Sequence, residues 1–457
     1  MKKSLISLIS AVTCAVSFAA NTPTADTQKG VAESGVPDEF EIDDDNLDQR
    51  LNPPDLNPWE DITPFSATTG NEPSFINLKA NSIKMNGDNW SALGKDLARN
   101  AQFGGIFPIL HIGDSHIQAD AATGTTRELL QNVFGNAGRG LITPLKMART
   151  NEPRDYRITS STPWVTSKLM KTPWESPMMF TGVSITPMRN KFDLELGTVS
   201  SDKVKENPFC AIRLFYQGEL TVDACISDGE KIFYTCEYSD GCAILRFHNS
   251  VDSVTLKMST DGNPYDVHIA GAELLNSTKG ILYDTIGNNG AMFMSYNALS
   301  DFHRISELCP RLVIISLGAN EAFGVISDDA FEDTIDTMVK RVRKSCPDAK
   351  ILLVTPIECQ RRTGSKRRGK KRAGGFVVNS NVLRLRNVIN RYGEDNHIPV
   401  YDLYEVAGGN GASEKWTSSG LMNQRDRIHL TWAGYELQGR LTYDALVKAL
   451  LGEKQSK

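Results

Sequence analysis

The chain has 457 residues, 40% of them apolar and 23% charged, with a formal net charge of -5. That length exceeds what one compact core usually accommodates and predicts two domains plus a tail, with the composition of an ordinary soluble protein. The mild negative charge gives no reason to expect nucleic acid as a partner, and no apolar run approaches the roughly 20 residues that span a bilayer as a transmembrane helix.

The N-terminus reads as a secretory signal peptide over residues 1–19. Lys2-Lys3 precedes an apolar stretch from Leu5 to Phe18, with a cleavage pattern at Ser17-Phe18-Ala19. Thr13 before Cys14 fits a lipid-attachment box poorly, so a cleaved, exported protein of the periplasm or the extracellular space is expected. Residues 20–72 are rich in Pro, Asp and Asn. Asp38 to Asp48 carries seven carboxylates and no Lys or Arg, the pattern of a disordered, solvated acidic spacer.

Residues 73–150 should form the first part of an α/β domain. A helix is expected from near Trp90 to Ala98. The apolar strand Phe107-Pro108-Ile109-Leu110-His111-Ile112 follows and runs into the turn Gly113-Asp114-Ser115-His116. A further helix begins near Asp120, with Leu129, Leu130, Val133 and Phe134 at helical spacing. A serine at the carboxyl end of such a strand lies at the lip of the sheet, where ligands bind, and its own N–H can face an oxyanion. Gly, Asp and Ser also favour ordinary turns, so this stretch alone reads first as a strand-ending turn.

Over residues 151–280 the helical periodicity gives way to short alternating segments. Among them are Phe192 to Leu196, Ala211 to Tyr216, Leu220 to Val222, Lys231 to Tyr234, Ala243 to Phe247 and Val254 to Met258. Turn residues separate them at short intervals, which predicts an antiparallel β-sandwich inserted into the α/β domain. Cys210, Cys225, Cys236 and Cys242 crowd this region. Export permits disulfides; the Asp240-Gly241 hairpin turn makes Cys236–Cys242 one candidate bridge, and the pairing among the four stays open. No cysteine–histidine spacing resembles a zinc site.

The α/β rhythm resumes over residues 281–452. Ile281 to Ile286 is a strand and Ser295 to Leu308 a helix; Leu312 to Leu317 is a strand and Asp329 to Ser345 a long helix. Ile351 to Val354 and Pro399 to Asp402 are strands, and Trp432 to Leu450 is the closing helix. This alternation predicts a parallel sheet covered on both faces. Arg361 to Arg372 holds eight basic residues and no acid. It reads as a solvated, protease-sensitive loop or as a clamp for an anionic polymer.

Polar and glycine residues follow the matching strand ends. Gly287-Asn288-Asn289-Gly290 offers a bare N–H, and Gly318-Ala319-Asn320-Glu321 offers a side-chain amide, both suited to a developing oxyanion. Near the C-terminus stands Asp426-Arg427-Ile428-His429. An Asp and a His three residues apart can share one side of a turn. The carboxylate then holds one imidazole nitrogen while the other takes a serine proton.

Gly113-Asp114-Ser115-His116, Gly290, Gly318-x-Asn320 and Asp426-x-x-His429 resemble blocks I, II, III and V of the SGNH (GDSL-type) esterase superfamily, with Gly287 a rival for the second block. His116 stands where Leu is more usual and Glu321 where Asp is. The motif from His111 to Gln118, Gly287 to Ala291 and the β insertion are similar to exported enzymes that deacetylate cell-wall polysaccharide, nearest to peptidoglycan O-acetylesterases. The resemblance implies a flavodoxin-like α/β/α sandwich and hydrolysis of O-acyl, most simply O-acetyl, esters on a glycan without metal or cofactor. It implies Ser115 as nucleophile, His429 as base oriented by Asp426, and Ser115 N–H, Gly290 and Asn320 as oxyanion donors. A lipid or thioester acylhydrolase, an O-acyltransferase and a non-catalytic glycan-binding protein are the alternatives.

Overall fold

In the computed structural model the described residues are 62, 64–201, 204–276, 279–363 and 375–452. The expected signal peptide, most of the acidic spacer and residues 364–372 of the basic stretch lie outside them. No helix among the described residues is long and apolar enough to cross a membrane.

The central sheet has six strands: β1 (Ile83–Lys84), β2 (Gly105–Gly113), β3 (Lys279–Gly287), β4 (Leu312–Ser316), β5 (Lys350–Val354) and β6 (Val400–Tyr401). Their order across the sheet is β1-β6-β5-β4-β2-β3. β2 to β6 are parallel and β1 is antiparallel to β6. Counted from β2, the parallel strands run 2-1-3-4-5, the order of flavodoxin-like doubly wound sheets. Register fixes the working edge. Gly113 stands opposite both Gly287 and Ser316, and Ser316 opposite Val354. The chain therefore leaves β2, β3 and β4 at one level, and the three loops after them emerge side by side.

Long helices accompany the sheet: α1 (Ser91–Phe103), α2 (Ala121–Phe134), α3 (Asp328–Ser345), α4 (Ser380–Asp395) and α5 (Trp432–Leu451). α3 buries Phe331, Ile335, Met338, Val339 and Val342, one helical stripe. Ser327 caps its start by accepting the Ala330 N–H at 3.2 Å. Asp328 and Asp329 lie in its first turn and Arg343 and Lys344 in its last, complementing the helix dipole.

Two antiparallel sheets of five and seven strands are built from strands between Gly140 and Leu275. Phe192, Leu194 and Leu196 of one pack with Ile212, Leu214 and Leu245 of the other. Their burial does not stop there. Phe180, Phe215, Cys242 and Ala270 share a buried cluster with Leu110, Ile112 and Ile286 of the parallel sheet. Polar ties cross as well: Arg304 donates to the carbonyls of Tyr216 at 3.0 Å and Gly241 at 2.8 Å, and Asp284 of β3 accepts the Leu141 N–H at 2.7 Å. The described residues belong to one compact unit.

Three expectations are corrected. The helix expected over Ser295 to Leu308 is broken into a short helix, Phe293–Asn297, and a 3₁₀ segment, Phe302–Leu308. The Arg341 guanidinium draws the carbonyls of Tyr296, Asn297 and Leu299 to itself, which takes them out of a continuous helical ladder. Lys231 to Tyr234 is not one strand: Glu230–Ile232 belongs to the five-stranded sheet and Tyr234–Ser239 to the seven-stranded one, with Phe233 90% exposed at the crossing. The cysteines of the region are free. In the hairpin, Cys242 faces Ser239 while Cys236 faces Leu245, so the register holds the two thiols three positions apart, beyond disulfide reach.

Candidate active site

β2 ends at Gly113, and Asp114 caps the short helix Ser115–Gln118 by accepting the His116 N–H at 2.9 Å. This cap turns the chain sharply and brings Ser115 to the sheet edge, where its hydroxyl stands 2.9 Å from His429 Nε2. The other ring nitrogen of His429, Nδ1, is 3.0 Å from Asp426 Oδ2. Asp426 is fixed through its second oxygen, which accepts the N–H groups of Ile428 at 2.9 Å and His429 at 3.1 Å. Burial opposes the charge on Asp426, but these two N–H groups and the His429 ring outweigh it and hold its carboxyl below the usual range.

The Asp426–His429 turn requires a left-handed residue, and Arg427 takes it with φ 57°. Its guanidinium is held by Gln360 and Glu414, both at 2.9 Å, and lies 4.6 Å over the Phe376 ring. Gln360 and Phe376 belong to the paired strands Gln360–Arg362 and Phe376–Val378, which carry the basic stretch. The described stem of that stretch thus docks directly beside Asp426. Thr431 then caps α5 by accepting the Gly434 N–H at 3.3 Å, so the histidine loop is anchored at both ends.

Ser115, Gly290, Asn320 and His429 line one open cleft of about 570 Å³, together with His116, Asn151, Asn289 and Phe323. Asp426 supports His429 without lining the cleft. Gly290 has φ 81°, a conformation that favours glycine. Gly287 occupies a different place: it ends β3, and a Cβ there would meet Gln118 N at 2.2 Å. Its bareness lets the Ser115 helix pack on the strand, whereas Gly290 is the glycine at the cleft. Asn320 does not present a free amide. Its Nδ2 is 3.2 Å from Asp114 Oδ2 and 3.0 Å from the Ala291 carbonyl oxygen.

Several polar residues of the recognised stretches take roles around the cleft that the sequence did not assign. The Gln118 carbonyl accepts the Asn289 N–H at 2.7 Å, and its amide donates to Thr150 Oγ1 at 2.9 Å. The residue before Gly290 is thereby tied to the helix of Ser115. Asn289 Nδ2 in turn donates to Asn151 Oδ1 at 2.6 Å. Glu321 is buried, accepts the Phe293 N–H at 2.8 Å through Oε1 and leaves Oε2 unpartnered. Burial pushes its carboxyl up to about 7. His111 lies inside β2 between Tyr283 OH at 2.8 Å and Ser316 Oγ at 2.7 Å. Burial lowers its pKa to about 3, which makes it a neutral core histidine. Among the described residues, no three His, Cys, Asp or Glu side chains gather to hold a metal ion.

Residues 252–437 match the model of the GDSL-like lipase/acylhydrolase family. The matched span includes Gly290, Asn320, Asp426 and His429 and begins after Ser115. Among solved structures, a peptidoglycan O-acetylesterase shares the fold, with a TM-score of 0.64 at 20% identity over 81% of this chain and 99% of its own. A Bacillus subtilis protein aligns with a TM-score of 0.31 at 12% identity, over 64% of this chain and 90% of its own. A GDSL-like lipase from Bacteroides thetaiotaomicron aligns with a TM-score of 0.28 at 22% identity, over 36% of this chain and 76% of its own. No curated protein matches the sequence.

Proposed function

We propose that this chain, which carries a GDSL-type (SGNH) hydrolase domain, is an exported serine esterase that removes O-acetyl groups from a cell-wall glycan. The observation that carries this reading is the unbroken relay from Ser115 Oγ through His429 to Asp426, with steps of 2.9 and 3.0 Å, opening on a single cleft. His429 Nε2 takes the hydroxyl proton as Ser115 Oγ attacks the ester carbonyl. Asp426 holds Nδ1–H and stabilises the imidazolium that forms. The N–H groups of Ser115 and Gly290 and the Asn320 amide receive the oxyanion. The imidazolium returns its proton to the departing sugar hydroxyl, and a water activated by His429 then releases acetate from the acyl-serine.

The glycan assignment is supported by the open cleft, where the amide side chains of Asn151 and Asn289 stand beside Gly290. The peptidoglycan O-acetylesterase of like fold gives it a second support. Export follows from the signal peptide read over residues 1–19. The antiparallel strands over 151–280 act, in this reading, as an inserted β-sandwich domain that recruits an extended polymer to the triad.

The test is acetate release from a panel of O-acetylated glycans by the wild type and by Ser115→Ala. Release from a cell-wall glycan by the wild type alone is expected. The Ser115→Ala protein should melt at nearly the wild-type temperature, because its side chain is placed at the cleft rather than in the core. Turnover by Ser115→Ala above a small fraction of wild type would remove Ser115 as nucleophile. Activity confined to lipid esters would remove the glycan assignment and leave the mechanism.

A further inference from the structure

His116 directly follows Ser115, at the position where this chain departs from the more usual leucine. Its Nδ1 is 2.9 Å from Asp114 Oδ1 and its Nε2 is 3.3 Å from the Ile428 carbonyl oxygen. Both partners accept only. A neutral imidazole has one N–H and would turn a lone pair toward one of these oxygens, whereas an imidazolium donates to both. The same ring lies against His429, with centroids 5.3 Å apart and planes inclined by 28°. The titratable and charged groups around it are Asp114 in its own turn, Asp426 and His429 in the facing loop, and Tyr435 of α5, edge-on at 6.1 Å. Burial opposes a charge on His116, but the Asp114 carboxylate, the bond to it and the Ile428 carbonyl outweigh burial and hold its pKa above the ordinary histidine value.

We propose that His116 is a positioning residue for the esterase reaction: as a doubly donating imidazolium it fastens the Ser115 turn to the His429 loop. The inference rests on the triad assigned above. It links two motifs that are 314 positions apart in the chain yet meet at the Ser115–His429 bond. His116 is charged below the ordinary imidazole range and loses its charge only as pH rises through its raised value. Both donated bonds are therefore in place below that value, and one of them is lost above it.

The test compares His116→Gln and His116→Leu with wild type in kcat/KM against pH for a small acetyl ester. Glutamine can still donate to Asp114 but carries no charge. Wild type should lose kcat/KM as pH rises through the His116 value, and that loss should be absent from His116→Gln, which has no charge to titrate there. Leucine should lower kcat/KM further at every pH, because the turn is also released. A wild-type profile without that loss, or a loss that His116→Gln retains, would reduce His116 to a structural contact and overturn the proposal. A second reading is independent of activity and of the triad. In the full chain labelled with ¹⁵N-histidine, the signal lost in His116→Gln should show both ring nitrogens protonated at about pH 6, just below the ordinary imidazole value. One unprotonated nitrogen there would overturn the proposal even if neither variant is active. Loss of the triad reading would instead show as Ser115→Ala and His429→Ala proteins that still hydrolyse the ester.

Discussion

Asn320 donates to Asp114, its Nδ2 lying 3.2 Å from Asp114 Oδ2, and the second amide hydrogen is taken by the Ala291 carbonyl at 3.0 Å. Both donors are therefore committed in the resting site. To receive an oxyanion, the amide must give up a bond, and the longer one to Asp114 is the weaker. Asp114 can release it because the His116 N–H and ring also bind that carboxylate, each at 2.9 Å. Asn320→Ala is expected to lower kcat on an acetyl ester by on the order of 10²-fold with little change in KM. Asn320→Asp should be worse in stability as well, since it sets a second carboxylate beside Asp114. An Asn320→Ala protein with wild-type kcat would take Asn320 out of the oxyanion site.

Asp426 and His429 should differ in weight. Removing the imidazole leaves only the oxyanion donors, whereas Asp426→Asn keeps a ring that is poorly oriented and in the wrong tautomer. On the scale of characterised serine hydrolases, the expected losses in kcat are on the order of 10⁶ for His429→Ala and 10⁴ for Asp426→Asn. Asp426 spends one oxygen on two backbone N–H groups and the other on the ring. Asparagine can preserve the backbone half only by turning its amide nitrogen toward His429 Nδ1. Stopped-flow or steady-state turnover of both variants checks this ranking, and equal rates for Asp426→Asn and wild type would remove the aspartate from the relay.

The parts legible in the sequence were those set by local chemistry. The run Leu312 to Ile315 is apolar on both faces and could only be an inner parallel strand. The cap Thr431, the Gly113-Asp114-Ser115 turn and the Asp426-x-x-His429 spacing each follow from rules acting over a few residues. What the sequence hid was set by contacts between distant segments. The break near Asn297 depends on Arg341 from α3. The engagement of Asn320 depends on a carboxylate 206 positions away. The link from Gln118 to Asn289 spans 171 positions, and neither residue type at either place announces the other.

The β-rich stretch is the clearest case of such hidden coupling, and it bears on how its role can be tested. Phe180 packs at 5.7 Å and 87° on Phe215, under the Arg304 guanidinium, in the cluster that also holds Leu110 and Ile112 of β2. Its N–H donates to Asp301 at 3.0 Å. Replacing residues 151–280 by a Gly/Ser linker would uncover that cluster, so a point variant is the better probe. Phe180→Ala should cost about 3–5 kcal/mol and lower a single thermal transition as a whole. Two transitions in calorimetry, only one of them displaced, would mean that the β-rich part unfolds independently of the parallel sheet.

Glu321 neighbours Asn320 and carries a titration that should be visible in stability. Burial pushes its carboxyl from 4.5 up to about 7, against the N–H of Phe293, which favours the charged form. Between those two pH values the folded chain binds more protons than the unfolded one, so folding loses stability as pH rises from about 4.5 to about 7. Above that range the charge stands in the core with Oε2 unpartnered. Glu321→Gln keeps an acceptor for the Phe293 N–H and has nothing to ionise. Its stability should exceed wild type by on the order of 1–3 kcal/mol at neutral pH, with the advantage shrinking toward pH 4.5. Denaturant unfolding of the two proteins at several pH values across that interval measures the difference directly. Curves that stay parallel throughout would show that Glu321 does not titrate there and that its unpartnered oxygen costs the fold nothing that depends on charge.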